Sequence, residues 1–181
     1  MTPAIVIRDE IRADARVISE VTIAAFRTLE ISQHTEQFII EALRKAKALT
    51  ISLVAEVNGR VVGHIAFSPV NISDGSVHWY GLGPVSVLPE FQRKGIGKAL
   101  IQEGLIRLKA IGAKGCCLVG HPQYYMKFGF ENVVGLIYEG IPQEVFFVLL
   151  FVGSIPEGKV TFHEAFQANG QQEPAADASR S

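Results

Sequence analysis

The segment from Val85 to Leu100 constrains the fold of this chain more than any other. It begins with the apolar run Val85-Ser86-Val87-Leu88, which is typical of a buried strand, and Pro89 closes a short loop after that run. Gly95 and Gly97 then flank a turn that continues into an amphipathic stretch. The segment therefore predicts a strand, a glycine-containing turn and a helix in direct succession.

The turn before this helix has the features of an anion-binding site. Glycines leave the backbone amides from about Arg93 to Lys98 open to close approach by a ligand. The first amides of a helix lack partners within the helix, and the macrodipole adds partial positive charge there. Cations at a helix start oppose that dipole unless an anion lies among them, so the cluster favours a bound phosphate over ordinary surface charges. The cluster consists of Arg93, Lys94 and Lys98.

Two common phosphate-binding loops do not fit this segment. A Walker-type loop requires serine or threonine after Gly-Lys, whereas Gly97-Lys98 is followed by Ala99. The dinucleotide fingerprint requires three glycines directly after a strand, whereas two are present here and a loop precedes them.

Two motifs in this region resemble the signatures of the GNAT acetyltransferase superfamily. The residues Gln92-Arg93-Lys94-Gly95-Ile96-Gly97 fit the family's coenzyme A loop, which has glutamine or arginine, two variable residues, glycine, one variable residue, and glycine or alanine. The segment Tyr124-Tyr125-Met126-Lys127-Phe128-Gly129-Phe130 resembles its second signature, an aromatic pair followed by three residues and Gly-Phe. A predicted helix, 96–111, and strand, 115–119, separate the two motifs as the family requires.

The resemblance implies the GNAT acyl-CoA N-acyltransferase fold. This is an α/β architecture with a mixed central sheet of about seven strands, a splayed parallel pair and flanking helices. We expect residues 1–166 to form this domain and 167–181 to form a flexible C-terminal tail, because the tail is rich in polar and small residues.

Local patterns predict the remaining elements. Asn58-Gly59 indicates a two-residue hairpin between strands 51–57 and 60–67. Pro84 predicts a break in strand pairing, since proline donates no ladder hydrogen bond. The sequence also predicts a loop at 69–75 and a hairpin formed by 130–138 and 144–153. Further elements are a strand at 5–8, helices at 13–26 and 36–48, a short helix at 123–128 and a brief strand at 160–163.

The same resemblance implies a reaction and a set of site residues. The activity is transfer of the acetyl group of acetyl-CoA, as co-substrate, to a primary amine by direct attack. Tyr125 occupies the position of the general acid that protonates the coenzyme A sulfur, and an ordinary phenol with a pKa of about 10 keeps its proton at neutral pH. The cofactor-binding residues would be Val85, Ser86 and Val87 along the pantetheine arm, and Gln92, Arg93, Lys94, Gly95, Ile96, Gly97 and Lys98 at the pyrophosphate.

No motif identifies the general base. His121 lies between the strand 115–119 and Tyr125, which places it near the mouth of the expected cleft, although a helix-entry role before Pro122 is at least as good an interpretation. His78 and Glu30 are further candidates. Tyr124 is interpreted as a packing residue. The histidines show no metal-ligand spacing, so no metal is expected.

Two other functions stay open from the sequence alone. The chain could be a regulatory module that binds acyl-CoA without catalysis, or it could acetylate amino groups of proteins. The acceptor is therefore either a small-molecule amine or a protein amino group.

Composition limits the other partners. The 181 residues carry a formal net charge of −1 without a basic surface stretch, so nucleic acid is not an expected partner. The longest apolar run, Val145 to Val152, is far too short to span a membrane and predicts a buried strand, either within one subunit or in a homodimer. Charged residues near the start argue against a signal peptide, so a cytoplasmic location is expected. Cys116-Cys117 is predicted to pack in the core.

Overall fold

The structure is a computed structural model that describes residues 4–171. It contains eight strands, four α-helices and several short 3-10 helices within that range. The strands are β1 (Ile5–Asp9), β2 (Ile51–Val57), β3 (Arg60–Ile72), β4 (Trp79–Val87), β5 (Gly115–Val119), β6 (Leu136–Ile137), β7 (Phe146–Leu150) and β8 (Gly158–Phe162). The helices are α1 (Ala15–Phe26), α2 (Glu36–Lys45), α3 (Ile96–Ala110) and α4 (Pro122–Tyr125).

The central sheet has the strand order β1-β2-β3-β4-β5-β7, and β8 extends it from β3. The predicted Asn58-Gly59 turn joins β2 to β3, and both residues have positive φ, at 51° and 76°. That backbone suits asparagine and glycine and matches the twist of the two strands. The sheet is mixed, because the β4–β5 pair is parallel and its neighbours along the order are antiparallel. The predicted α/β fold class is confirmed.

The core lies between this sheet and its helices. Strands β2 and β3 are almost entirely buried, and α1 and α3 both pack on β3. Gly104 in α3 leaves room for the ring of Phe67, since a Cβ at Gly104 would lie 2.3 Å from Phe67 Cε2. Cys116 and Cys117 are fully buried and unpaired, as predicted.

The parallel pair separates after three residues. Trp79, Tyr80 and Gly81 pair with Gly115 to Cys117, and the register does not continue beyond them. On its other side β4 contains an irregularity, because Ile65 pairs with Val85 while Phe67 pairs with Leu82. Gly83 and Pro84 are left out of the ladder, so the predicted break in pairing at Pro84 is confirmed. The separation opens the sheet next to this irregularity.

Two predictions of local structure were wrong. Residues 69–75 are not simply a loop, because β3 continues to Ile72, where it pairs with β8 through contacts such as Val70 with Phe162. That partner comes from about ninety positions later in the chain, so local sequence carries no signal for it.

The predicted hairpin of 130–138 and 144–153 is reduced to one antiparallel bridge, between Glu131 and Val148. Only Leu136–Ile137 of its first arm is a strand, and it pairs in parallel with β8, while β7 pairs with β5. The Asn132 side chain donates to the carbonyls of Gln143 at 3.1 Å and Phe146 at 2.9 Å. These side-chain hydrogen bonds satisfy backbone carbonyls that a hairpin ladder would otherwise use.

The structure describes only the first part of the predicted tail, 167–171. Gln167 closes the 3-10 helix Glu164–Gln167, and Ala168 is buried. Residues 172–181 of the predicted tail lie outside the described residues. None of the helices between residues 4 and 171 is both long and apolar enough to cross a membrane.

Candidate active site

A cleft of about 320 Å³ lies where β4 and β5 separate. One part of its wall consists of the β4 irregularity, the end of β5 at Val119, and Tyr125 of α4. The opposite part is formed by side chains of α1, α2, β8 and the loops near them. The complete lining is Phe26, Glu36, Ile39, Leu82, Gly83, Pro84, Val85, Val119, Tyr125, Tyr138, Phe162 and Phe166. The cleft thus joins β4, the strand that leads to the glycine loop, to Tyr125 of the second motif.

The backbone of the glycine loop exposes the start of α3. Gly95 is the residue before the helix and has φ of 85°, a left-handed conformation that glycine adopts without strain. Arg93 also has positive φ, at 62°. Gln92 Nε2 donates a 3.0 Å hydrogen bond to the carbonyl of Val87, which ties the loop to the end of β4. The first amides of α3 therefore lie beside the end of the strand, with no side-chain cap.

The cations of the loop are available to a ligand. Arg93, Lys94 and Lys98 are exposed, and none of them forms an ion pair with any residue that the structure describes. Lys94 Nζ lies 5.4 Å from the centre of the Phe91 ring, a cation–π contact. An anion at the helix start would have three uncommitted positive side chains near it.

The second half of β4 offers backbone rather than side-chain groups. Val85 lines the cleft, whereas Ser86 is buried and its hydroxyl has no hydrogen-bond partner within residues 4–171. Strand β5 does not pair with β4 beyond Gly81, so the edge of β4 from Leu82 to Val87 on that side has no strand partner in the described chain. Its residues from Leu82 to Val85 line the cleft. Any ligand contact at Val85, Ser86 and Val87 would use these main-chain groups.

Tyr125 lies at the base of the cleft, largely buried among aromatic rings. Its ring makes edge contacts with Tyr124 and Phe130, with centroid distances of 5.0 and 6.2 Å. Burial, with smaller contributions from Tyr124 and Cys116, raises the pKa of Tyr125 to about 12. The phenol is therefore a proton donor throughout the physiological pH range.

Gly120 gives this ring its position, and sequence analysis missed it. A Cβ at Gly120 would lie 2.3 Å from Tyr125 Cε2, so only glycine leaves space for the ring there. In the sequence, the available sign of this close approach was a glycine between the predicted strand 115–119 and His121.

Tyr124 lies next to the glycine loop. Its interpretation as a packing residue did not predict this contact. Its hydroxyl is 3.0 Å from the position that a Cβ would occupy at Gly97. Val87 is 3.9 Å from the same position. The two predicted motifs therefore contact each other directly, with the Tyr124 hydroxyl at the start of α3.

The candidate bases occupy different places. His121 is exposed at the residue before α4, and its carbonyl accepts hydrogen bonds from the amides of Tyr124 and Tyr125 at 3.2 and 3.3 Å. It is not one of the side chains that line the cleft. His78 precedes β4, at the opposite end of the strand from the irregularity, and Glu30 is exposed in the segment after α1.

Glu36 is the carboxylate that the structure brings to the cleft, and the sequence analysis did not consider it. It is the first residue of α2, where a carboxylate also complements the helix dipole. Its Oε1 accepts a hydrogen bond from the Ser32 hydroxyl. Its Oε2 is buried and has no partner among the described residues.

Neither metal ligation nor thiol chemistry is favoured here. Residues 4–171 contain no group of three or more His, Cys, Asp or Glu side chains that could hold a metal ion. Burial raises the pKa of Cys117 to about 12 and that of Cys116 well above its ordinary value. Both side chains are therefore thiols rather than nucleophilic thiolates at neutral pH.

Comparisons with known protein families and with individual proteins agree with each other. Residues 49–132 match the acetyltransferase (GNAT) domain family. The chain is 33% identical over 126 residues to the uncharacterized N-acetyltransferase YhbS of Escherichia coli K12, covering 69% of this chain and 72% of that protein.

Solved structures extend the likeness over almost the whole chain. A GNAT family acetyltransferase from Brucella melitensis, in complex with acetyl-CoA, is 49% identical with a TM-score of 0.81, covering 90% of this chain and 98% of that one. The structure of Escherichia coli YhbS in complex with CoA also has a TM-score of 0.81, at 29% identity, covering 94% of this chain and 96% of that one. The sequence motifs, the splayed parallel pair and these relatives agree, and this chain belongs to the GNAT family of N-acetyltransferases.

Proposed function

We propose that this protein transfers the acetyl group of acetyl-CoA to a primary amine by direct attack of the amine on the thioester. The observation that carries the proposal is the cleft between β4 and β5, which is lined by the unpaired edge of β4 and by Tyr125. The uncapped start of α3 lies next to it, in contact with Tyr124 and Val87. The two relatives described above were solved with acetyl-CoA and with CoA bound.

The cofactor would use main-chain groups for most of its contacts. The pyrophosphate binds the amides from Arg93 to Lys98, with Gly95, Ile96 and Gly97 forming the floor and Gln92 holding the loop. Charge from Arg93, Lys94 and Lys98 adds to the helix dipole. The amide-rich pantetheine arm pairs with the free edge at Val85, Ser86 and Val87, in the manner of an added strand.

The chemistry then needs stabilisation of charge and two proton movements. The neutral amine attacks the thioester carbon, forming a C–N bond, and a main-chain amide near Val85 donates to the developing oxyanion. The intermediate collapses with cleavage of the C–S bond, and Tyr125 donates its proton to the departing sulfur. The amide product retains one N–H, the other proton of the attacking amine passes to a base, and the phenolate is reprotonated from solvent.

His121 is the proposed base. It precedes α4 directly, so its backbone is fixed by the amides of Tyr124 and Tyr125 while its side chain is exposed to solvent. A histidine in this position can relay a proton between the amine and water. Replacing His121 with glutamine should lower kcat, and the same change at the exposed His34 is the control.

The direct test is acetyl-CoA turnover by the Tyr125→Phe variant, with a panel of primary amines as acceptors and release of the coenzyme A thiol as the readout. Loss of the general acid should lower kcat by about 10²-fold or more. Affinity for acetyl-CoA should be unchanged, since the ring and its packing are retained. Tyr80→Phe, in β4 but outside the cleft lining, is the matched control.

Two outcomes would contradict the proposal. A Tyr125→Phe variant with native turnover would remove the tyrosine from the mechanism. A native protein that binds acetyl-CoA yet transfers acetyl to no amine in the panel would instead support a regulatory acyl-CoA-binding module.

A further inference from the structure

The half of the cleft that is formed by α1, α2, β8 and the loops near them has an unusual chemical composition. Its walls are mainly aromatic and aliphatic, and its only carboxylate among the lining residues is Glu36. No lysine, arginine or histidine belongs to that lining. Apart from Glu36 and the tyrosines, no charged or ionisable side chain lines the cleft. The aromatic and aliphatic members of this half are Phe26, Ile39, Tyr138, Phe162 and Phe166.

The Glu36 carboxylate is held in place but is incompletely satisfied. The hydroxyl of Ser32, four residues earlier in the chain, donates to Oε1. The other oxygen, Oε2, is buried and has no donor within the described part of the chain. Leaving a buried anionic oxygen without a donor is unfavourable, so a donor from a bound molecule would be stabilising.

Aromatic rings form a continuous wall in this half of the cleft. Tyr138 contacts Phe162 edge to face with a centroid distance of 4.9 Å, and Phe162 contacts Phe166 at 5.1 Å. Such rings pack against aryl or alkyl groups. A carboxylate next to this wall therefore suits a molecule that carries a cation on an apolar body.

We infer that Glu36 binds the ammonium group of the acceptor, and that the acceptor is a small apolar monoamine without a carboxylate group, such as an arylalkylamine. The bound ammonium group gives up its extra proton to solvent before it attacks as the neutral amine. This inference rests on the proposed acetyltransferase function. A free amino acid would bring a carboxylate close to Glu36 with no cation in the lining to pair with it. A polyamine would place its second charge against the rings without a second carboxylate. The cleft has a volume of about 320 Å³, part of which the thioester end of the cofactor would fill, so the space left suits a small acceptor body.

The test compares the expected kind of acceptor with three alternatives. Phenethylamine and phenylalanine differ by a carboxylate, and spermidine and a lysine-containing peptide represent the polyamine and protein alternatives. Binding of each to the protein saturated with coenzyme A is measured by calorimetry, and acetylation by thiol release from acetyl-CoA. We expect phenethylamine to exceed each of the other three in kcat/KM by about tenfold or more.

Variants then test Glu36 itself. Glu36→Gln should weaken phenethylamine binding by about tenfold or more while affinity for acetyl-CoA stays native. Glu36→Asp retains the charge and should restore part of that binding. Glu41→Gln, an exposed position on the same helix, is the matched control and should behave as the native protein. If Glu36→Gln does not fold, as judged by circular dichroism, the Glu36→Asp comparison and the native ligand series still decide the question.

The failures of the two proposals are distinguishable. Turnover with phenylalanine, spermidine or the peptide as the best acceptor, or native phenethylamine binding by Glu36→Gln, would overturn the inference and leave the acetyltransferase intact. Failure of phenethylamine to bind the native protein would also overturn it. Absence of acetyl-CoA binding or of any acetyl transfer would contradict the proposed function instead.

Discussion

The ring of Tyr125 lies directly against the backbone of Gly120, so close that a methyl group at position 120 would come within 2.3 Å of Tyr125 Cε2. Gly120 follows β5, and its amide donates to the carbonyl of Val145 at 2.9 Å. The strand end is thereby fixed, and the ring that packs on it is fixed as well. The orientation of the proposed general acid depends on the absence of a side chain five residues earlier.

This contact predicts that Gly120→Ala impairs catalysis without blocking cofactor binding. The added methyl group must displace the Tyr125 ring, and a shift of about 1 Å in a catalytic group can lower kcat by about 10²-fold. Steady-state kinetics and calorimetry with acetyl-CoA measure the two effects separately.

A control for general destabilisation is available in α3. A Cβ at Gly104 would also lie 2.3 Å from an aromatic carbon, in this case of Phe67. Gly104→Ala should lower the melting temperature and leave kcat of the folded protein near its native value. Equal kcat for Gly120→Ala and the native protein would contradict the proposed positioning of Tyr125.

The two adjacent tyrosines should have separable effects. The Tyr124 hydroxyl lies beside Gly97 at the start of α3, where the pyrophosphate is proposed to bind. Tyr124→Phe removes one neutral hydrogen-bonding group and should raise the Kd for acetyl-CoA about two- to tenfold, corresponding to about 0.5–1.5 kcal/mol. Its kcat should change little. Calorimetry on this variant and on Tyr125→Phe compares them, and a loss of turnover without a loss of affinity in Tyr124→Phe would be inconsistent with this assignment.

Buried His64 should make stability depend on pH. The side chain is fully buried in β3, and Nε2 shares a 2.8 Å hydrogen bond with the Ser52 hydroxyl, while Nδ1 has no partner in the described chain. Burial, with a smaller effect of Arg44, lowers its pKa from 6.5 to about 3. The unfolded chain therefore binds a proton at a higher pH than the folded protein does. Above pH 6.5 the histidine is neutral in both states, and the folded protein keeps its full stability. As the pH falls from 6.5 toward 3, protonation of the unfolded chain lowers the free energy of unfolding.

Urea unfolding measures this effect. Between about pH 6 and 4, the free energy of unfolding should fall by as much as about 1.4 kcal/mol per pH unit. His64→Gln, which cannot gain a proton, should show a shallower slope, and His34→Gln at an exposed site should match the native slope. An unchanged slope in His64→Gln would assign the acid sensitivity to other groups.

The sequence predicted the features that depend on short segments. The glycine loop, the tyrosine motif, the Asn58-Gly59 turn and the pairing break at Pro84 are each specified by residues within a few positions of one another. Backbone conformation at such places is set by glycine and proline themselves. This is why the central architecture was predictable.

The remaining features depend on distant parts of the chain. The extension of β3 to Ile72 requires β8 as its partner, and the loop 130–145 is held by Asn132 and Gln143 side chains rather than by a ladder. Glu36 begins an amphipathic helix and has the sequence features of an ordinary helix-start carboxylate. Only the tertiary arrangement brings it to the same cleft as Tyr125.

The most direct test of the account is calorimetric titration of acetyl-CoA into the native protein and the Gly97→Trp variant. An indole at position 97 would project toward the Tyr124 hydroxyl and Val87 and fill the proposed pyrophosphate site. Ile106→Trp, at an exposed position of the same helix, is the matched control. We predict binding by the native protein and by Ile106→Trp, and no binding by a folded Gly97→Trp. Native affinity in Gly97→Trp, or no binding by the folded native protein, would contradict the location of the cofactor at this loop.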